Sequence, residues 1–286
     1  MNEAASTKDW LGRTRRDEDE ITLGTVQRLA ATLDQDPTIF RRGSEMPESW
    51  YAILFAPIAR ESTLQPDGHL LTGDFLPPLH GTRRMFAGRR NKFIKPLKIG
   101  DMVSRVSTVT RVEPKTGRTG PFTLVTVMHE ISGPSGLALT EEQDIICRAA
   151  VDAGTAAPQK EATPIADEPA WSKAIALDPV LVFRYCALTF NAHRIHYDLP
   201  YALDVEGYPA LVMNGGLTAL LLIETARPHL SRPIAAYAAR AVSPLFVGQR
   251  VAFNGRLAGN TAVLWASGPD GGLAYRVDVM LATTTT

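Results

Sequence analysis

Residues 183–216, FRYCALTFNAHRIHYDLPYALDVEGYPALVMNGG, gather two histidines, two asparagines, four tyrosines and two arginines, then run into a Gly-Gly pair opening a strongly apolar helix. Groups that can move protons, followed at once by backbone N–H donors at a helix start, are the parts needed to polarise a carbonyl and add or remove water beside it. His196 suits the proton-handling role, because an unperturbed imidazole pKa of about 6.5 serves both directions near neutrality. Gly215 and Gly216 begin the helix, so their N–H groups lack intrahelical acceptors, and the positive helix end favours a developing oxyanion. These parts make an enzyme the first expectation.

The segments that must position these groups are legible around them. Asp178-Pro179 is a helix start, with Asp as N-cap and Pro in the first turn, and Leu181, Arg184, Tyr185 and Leu188 follow at helical spacing. Asn214 can cap a second helix from Gly215 to about Ala226, and LTALLLIETA is apolar around most of its circumference, which predicts near-complete burial. Strand-like runs lie around 101–112, 121–132 and 137–149, and again around 235–242, 248–257, 261–267 and 272–282, separated by turn segments such as Gly133-Pro134-Ser135-Gly136. Residues 153–170 are rich in Ala, Pro, Thr and charge, and read as a linker between halves 1–152 and 171–286. The halves echo one another: Ala30-Ala31-Thr32-Leu33-Asp34 matches Ala187-Leu188-Thr189-Phe190-Asn191, and Lys95-Pro96-Leu97 with Gly100 matches Ser243-Pro244-Leu245 with Gly248. By the first of these offsets Ile39 stands where the second half has His196, so the first half is expected to be non-catalytic and to shape the pocket.

Composition narrows the function classes. The chain has 286 residues, 45% of them hydrophobic, enough for a sizeable core. Lys+Arg and Asp+Glu both number 30, so no net field recruits nucleic acid or an anionic membrane. The basic run at 89–95, RRNKFIK, reads as a strand edge. Cys147 and Cys186 fit neither a metal motif nor a disulfide framework and read as buried thiols. MNEAASTKDW lacks a signal-peptide core, and Leu217–Ile223 is far short of the roughly 20 residues that span a bilayer, so a cytoplasmic location is expected. His193, His196 and Asp198 lack a ligand spacing or a fourth partner for a metal, no nucleotide fingerprint is present, and no cofactor is expected.

Phe190-Asn191-Ala192-His193-Arg194-Ile195-His196-Tyr197-Asp198 resembles the hydratase motif of MaoC-like hydratases and dehydratases. The stretch 183–209 is closer to the branch of itaconyl-CoA hydratase, mesaconyl-C4-CoA hydratase and fungal mitochondrial hydroxyacyl-thioester dehydratase. Trp10-Leu11-Gly12-Arg13, Phe75-Leu76-Pro77-Pro78 and Arg83-Arg84-Met85-Phe86-Ala87-Gly88 extend the likeness toward the N-terminus. The resemblance implies an α+β double hotdog, two antiparallel sheets each wrapped around a long buried helix. It also implies an acyl-CoA thioester substrate, with hydration of a branched C5 dicarboxylic enoyl-CoA to citramalyl-CoA.

Two positions depart from the family pattern. Asn191 replaces an aspartate, and an amide cannot accept a proton, so Asn191 is expected to orient water while His196 does the acid–base work and Asp198 orients the imidazole. Asn214-Gly215-Gly216 stands where the branch usually has His-Gly-Pro. Arg184, Tyr185, His193, Tyr197, Asn214, Arg84 and Arg240 are the candidate substrate contacts, the arginines for carboxylate or CoA phosphate. The alternatives are a fatty-acid-type 3-hydroxyacyl-thioester dehydratase, a thioesterase disfavoured by Asn191, and a non-catalytic acyl-CoA-binding hotdog. Exposed sheet edges suggest a homo-oligomer, in the simplest case a dimer.

Overall fold

A computed structural model of the chain describes residues 7–70, 75–77, 82–117, 120–149, 163–165 and 167–283. Ten strands, β1 (Thr14–Glu20), β2 (Thr82–Phe93), β3 (Met102–Gly117), β4 (Gly120–Gly133), β5 (Gly136–Ala149), β6 (Trp171–Ala176), β7 (Ile234–Ala241), β8 (Arg250–Ala258), β9 (Thr261–Ser267) and β10 (Leu273–Leu281), build one sheet. Its order is β1-β3-β4-β5-β2-β7-β10-β9-β8-β6, and the paired neighbours run antiparallel. The two halves therefore meet at the β2–β7 pair, where Asn91 faces Tyr237. A Cβ on Gly88 would sit 2.7 Å from the Ala239 carbonyl oxygen, so this seam requires glycine. The basic run at 89–95 is not a sheet edge: its strand residues complete β2, paired on one side with β5 and on the other with β7.

Four α-helices accompany the sheet: α1 (Leu23–Thr32), α2 (Pro179–Thr189), α3 (Leu199–Asp204) and α4 (Gly215–Ala226). Every residue of α4 from Leu217 to Ile223 is buried, as its all-round apolar sequence predicts, and the helix packs on β8, β9 and β10. Each such Leu or Ile contributes about 1.5–3 kcal/mol by leaving water. Among the described residues, no helix is long and apolar enough to cross a membrane.

The internal echo extends to the backbone. Gly100 (φ +101°) donates its N–H to the Ile21 carbonyl at 2.8 Å, and Gly248 (φ +91°) donates to Leu177 at 2.7 Å. Met46 N–H bonds the Leu97 carbonyl as Met213 N–H bonds Leu245. The 3₁₀ turn Pro37–Ile39 follows α1 as Arg194–His196 follows α2. By this correspondence Glu48 stands where Gly215 opens α4, but only a six-residue 3₁₀ segment, Glu48–Ile53, forms there. Phe55 takes a left-handed φ of +57° and Pro57 lacks an N–H, so the turn cannot continue as a helix. The first half is thus wrapped around a truncated helical segment, and its concave face is left partly open.

Glu224 of α4 ties the halves together, accepting from Trp50 Nε1 at 3.0 Å, Gln35 Nε2 at 2.9 Å and the Arg227 guanidinium at 2.9 Å. Of the expected linker, residues 153–162 and 166 lie outside the described residues. Its described end is fastened to the second half, where Asp167 pairs with Arg256 at 2.6 Å and with Arg276.

Candidate active site

Helix α2 ends in a left-handed residue, Phe190 (φ +49°), after which Asn191 N–H bonds back to the Cys186 carbonyl at 2.9 Å. The chain then turns sharply because Asn191 Oδ1 accepts the His193 N–H at 3.0 Å. That turn delivers the 3₁₀ segment Arg194–His196, on which the His196 side chain is buried. Val212 holds the imidazole from across the loop: its N–H bonds the Ile195 carbonyl at 2.9 Å, and its carbonyl accepts from His196 Nδ1 at 2.8 Å. A carbonyl only accepts, so Nδ1 carries the proton and Nε2 presents a free lone pair. Desolvation lowers the His196 pKa to about 4 despite that hydrogen bond, so the ring is a neutral base at pH 7. The orienting group is thus the Val212 carbonyl and not Asp198. The Asp198 carboxylate is engaged by Arg194 at 2.7 Å, and it caps α3 through the Tyr201 N–H.

Three residues beyond Val212, α4 begins. Asn214 Oδ1 accepts the N–H of Gly216 at 2.8 Å and of Leu217 at 3.3 Å. The cap therefore consumes the Gly216 amide, and of the expected Gly-Gly pair Gly215 alone keeps an N–H with no acceptor among the described residues. A Cβ on Gly216 would lie 2.7 Å from the Tyr185 hydroxyl, so that phenol sits at the same helix end. Tyr185 is buried, and desolvation raises its pKa to about 12, keeping it a hydrogen-bond donor. Gly215 looks onto Phe86 and Tyr275.

The remaining sequence candidates divide. Arg84, on β2 two residues from Phe86, is partly buried and donates to the Leu70 carbonyl. His193 lies between the rings of His196 and His69, with centroids 5.5 Å and 3.9 Å away. Tyr197 is 55% exposed with its hydroxyl on the Ala192 carbonyl, while Arg184 is exposed and donates to Ala31, so neither is drawn inward in this structure. Arg240 is also exposed, opposite Gly88 on β7.

Where the helix of the first half is cut short, two adjoining cavities of about 200 Å³ each open over the sheet. They share Arg105, His129 and Gln143; one extends to Tyr51, Arg89 and Glu141, the other to Arg15, Phe75 and Arg84. Burial lowers the His129 pKa and keeps the ring neutral between Ser107 (2.8 Å) and Gln143 (3.3 Å). Arg89 Nε and Tyr275 Oη are buried without a hydrogen-bond partner among the described residues. Arg15 and Arg105 share Asp17, whereas Arg84 has no carboxylate within ion-pair distance among the described residues.

Sequence reasoning missed Asp67 and His69, which the structure sets against the motif. Asp67 Oδ2 lies 2.9 Å from His69 Nδ1, and these two with His193 bring possible ligand atoms within 4.8 Å of one another. Asp67 and His69 hydrogen-bond each other, and the imidazoles of His69 and His193 meet as packed rings.

Comparison with known proteins identifies the family. The family profile Htd2, hydroxyacyl-thioester dehydratase type 2, matches residues 50–247. A mesaconyl-C(4)-CoA hydratase of Chloroflexus aurantiacus is 42% identical over 272 residues, covering 95% of this chain and 96% of the relative. The mitochondrial hydroxyacyl-thioester dehydratase type 2 of Schizosaccharomyces pombe is 43% identical over 74 residues, 25% of each chain. In fold, the chain is similar to HtdX of Mycobacterium tuberculosis (TM-score 0.66, 19% identity, covering 94% of this chain and all of that one). It also resembles a second M. tuberculosis protein described as a double hotdog (TM-score 0.55, 14% identity, 96% and 98% covered). The chain therefore belongs to the hydroxyacyl-thioester dehydratase type 2 family and is a CoA-ester hydratase, a hydro-lyase, with a double-hotdog fold.

Proposed function

We propose that this enzyme hydrates a branched C5 dicarboxylic acyl-CoA to citramalyl-CoA, with mesaconyl-C4-CoA the foremost substrate and itaconyl-CoA the second. The observation that carries the substrate class is the polar lining of the cavities, above all Arg84, a partly buried guanidinium with no carboxylate partner among the described residues. A long aliphatic acyl chain would bury that cation against only the Leu70 carbonyl and the nearby Asp67 charge, a cost that a substrate carboxylate would relieve. The relative named for mesaconyl-C(4)-CoA hydration supports the same reading.

In the proposed reaction His196 Nε2 takes a proton from water as its oxygen attacks the β-carbon. Electrons move onto the thioester oxygen, which lies at the start of α4, where the Gly215 N–H and the Tyr185 hydroxyl can donate to it. Asn191, whose Oδ1 is spent on its turn, has its amide N–H₂ left to position the water. Mesaconyl-C4-CoA has its double bond conjugated to the thioester, so an enolate forms directly; itaconyl-CoA does not, which ranks it second. Assembly as a homodimer is part of the proposal, and the exposed apolar residues Val180, Phe183 and Phe190 around α2 support it.

The test is consumption of mesaconyl-C4-CoA, itaconyl-CoA or crotonyl-CoA on mixing with enzyme, read as loss of enoyl-thioester absorbance for the two conjugated thioesters and by chromatography of the hydroxyacyl-CoA product for itaconyl-CoA. Decay with the dicarboxylic thioesters and not with crotonyl-CoA is expected. Decay with crotonyl-CoA alone would replace the substrate with a simple fatty-acyl thioester.

A further inference from the structure

The hydration needs a second proton transfer, to the α-carbon, and Asn191 cannot make it. The first half supplies a group that can. Its loop 65–70 is pressed onto the hydratase motif: the Asp67 carbonyl accepts the Arg194 N–H at 2.9 Å, and the Pro66 carbonyl accepts from the Arg194 guanidinium at 3.1 Å. A Cβ on Gly68 would lie 1.9 Å from the Ala192 carbonyl oxygen, and its φ of +88° is left-handed, so glycine is demanded twice over. This clamp sets His69 on His193, ring centroids 3.9 Å apart, with His196 next in line at 5.5 Å. Asp67 fixes the His69 imidazole through Nδ1 at 2.9 Å and grips the His69 N–H with its other oxygen, also at 2.9 Å. The His69 side chain keeps 31% of its surface open, unlike the buried His196.

We propose that His69, oriented by Asp67, is the second catalytic acid–base residue of this site, donating the proton that the α-carbon receives during hydration and removing it in the reverse direction. The inference rests on the hydratase reading above. In the step, the C–O bond forms at the β-carbon, His196 accepts the water proton, and the π electrons pass to the thioester oxygen. The enolate then collapses back to the carbonyl as its α-carbon takes the Nε2 proton of the His69 imidazolium. His196 ends protonated and His69 neutral, and exchange with solvent resets both. The carboxylate of Asp67 is the counter-charge for that imidazolium; against burial, which raises it, the hydrogen bonds from His69 and the imidazole's charge hold its own pKa down at about 2. The charged and titratable groups around His69 and the His193 ring it meets are Asp67 on its own loop, His196 and the Arg194–Asp198 pair of the motif, and Arg84 of β2.

The experiment compares wild type with His69→Gln, His69→Ala and Asp67→Asn, using mesaconyl-C4-CoA, with thermal melting to confirm folding. Expected for His69→Gln is a drop in kcat of about 10²-fold or more with KM within about threefold. Added imidazole should restore activity to His69→Ala through the open side of the ring, and Asp67→Asn should lose at least about tenfold by favouring the wrong tautomer. In D₂O, His69→Gln should lose the exchange of the product's α-proton in parallel with kcat. A His69→Gln enzyme with wild-type kcat, a His69→Ala enzyme that imidazole leaves unchanged, or activity that depends on an added divalent metal would overturn the assignment. Wild type inert toward all three thioesters would remove the hydratase reading and this role together; active wild type with indifferent variants would remove this role alone.

Discussion

The tether between His196 and Val212 has a measurable signature in stability as well as in rate. Burial lowers the folded pKa of His196 from 6.5 to about 4, so the folded protein resists a proton that the unfolded chain binds readily. Stability from this group is therefore complete above pH 6.5 and is lost as pH falls from 6.5 toward 4. Integrating the linkage relation between pH 7 and pH 5 gives a loss of about 2 kcal/mol from this one side chain. Urea denaturation of wild type and His196→Gln at both pH values isolates it. Carboxylates and the other histidines act alike in the two proteins, so the variant should lose about 2 kcal/mol less over that interval. Rapid-mixing assays supply the kinetic half: the acidic limb of kcat/KM, which reports the free enzyme, should fall near pH 4 and not near 6.5. Equal pH slopes in the two proteins, together with an acidic limb at 6–7, would mean that the ring is hydrated in solution. The dry, Val212-bound base would then be refuted.

Three further outcomes follow from the same geometry. Arg84→Met should lower kcat/KM for mesaconyl-C4-CoA by about 10–100-fold, the worth of a hydrogen bond to a charged group, while crotonyl-CoA, if turned over at all, changes little. Gly216→Ala puts a methyl group 2.7 Å from the Tyr185 hydroxyl, so chemical denaturation should show a loss of about 1–3 kcal/mol, most of it recovered on adding Tyr185→Phe; activity should stay low in the double variant because the donor is gone. Glu224→Ala leaves the Trp50 indole and the Gln35 amide without their shared acceptor and should cost about 3 kcal/mol, read as a lower melting temperature with little change in the KM of the surviving enzyme.

What could be read from the chain, and what could not, divides along physical lines. The start of α4 is local: Asn214 as cap and a run of apolar residues state it without tertiary information, and the same holds for Asp178 at α2. Strands β3–β5 and β7–β10 carry enough apolar alternation and turn chemistry to be found. β1 is TRRDEDE at the sheet margin, mostly exposed, so it has no buried face to impose a pattern. β2 hides for the opposite reason: its inward residues are polar, Arg89 lining a polar cavity and Asn91 accepting from the buried Tyr51 hydroxyl, and they mimic a solvated run. The Val212 acceptor is a main-chain atom that any residue would offer, so nothing in the sequence marks it. Asp67 and His69 lie over a hundred residues from the motif and meet it only through the fold, although Asp-Gly-His, with glycine between two proton-handling residues, was a signal to test.

The two halves use one backbone plan for opposite purposes. At the position of α4, a cap followed by Gly-Gly and seven consecutive buried residues gives a long helix whose first free amide can meet an oxyanion. At the equivalent position of the first half, Pro47 offers no side-chain cap, and left-handed Phe55 and Pro57 end the turn after six residues. Shortening that helix removes apolar cover from β2–β5, and the exposed floor would be destabilising if it were apolar. Instead it carries His129, Gln143, Glu141 and Arg89, which hydrogen-bond or pair with one another around the cavity. A polar floor cannot be covered by a hydrocarbon tail without desolvating those groups, but it can be covered by a short acyl group that has a carboxylate of its own. The missing helix and the proposed dicarboxylic substrate are thus one feature seen from two sides. Filling the cavity with leucine at His129 and Gln143 together should abolish turnover of mesaconyl-C4-CoA while leaving the His196–Val212 tether intact.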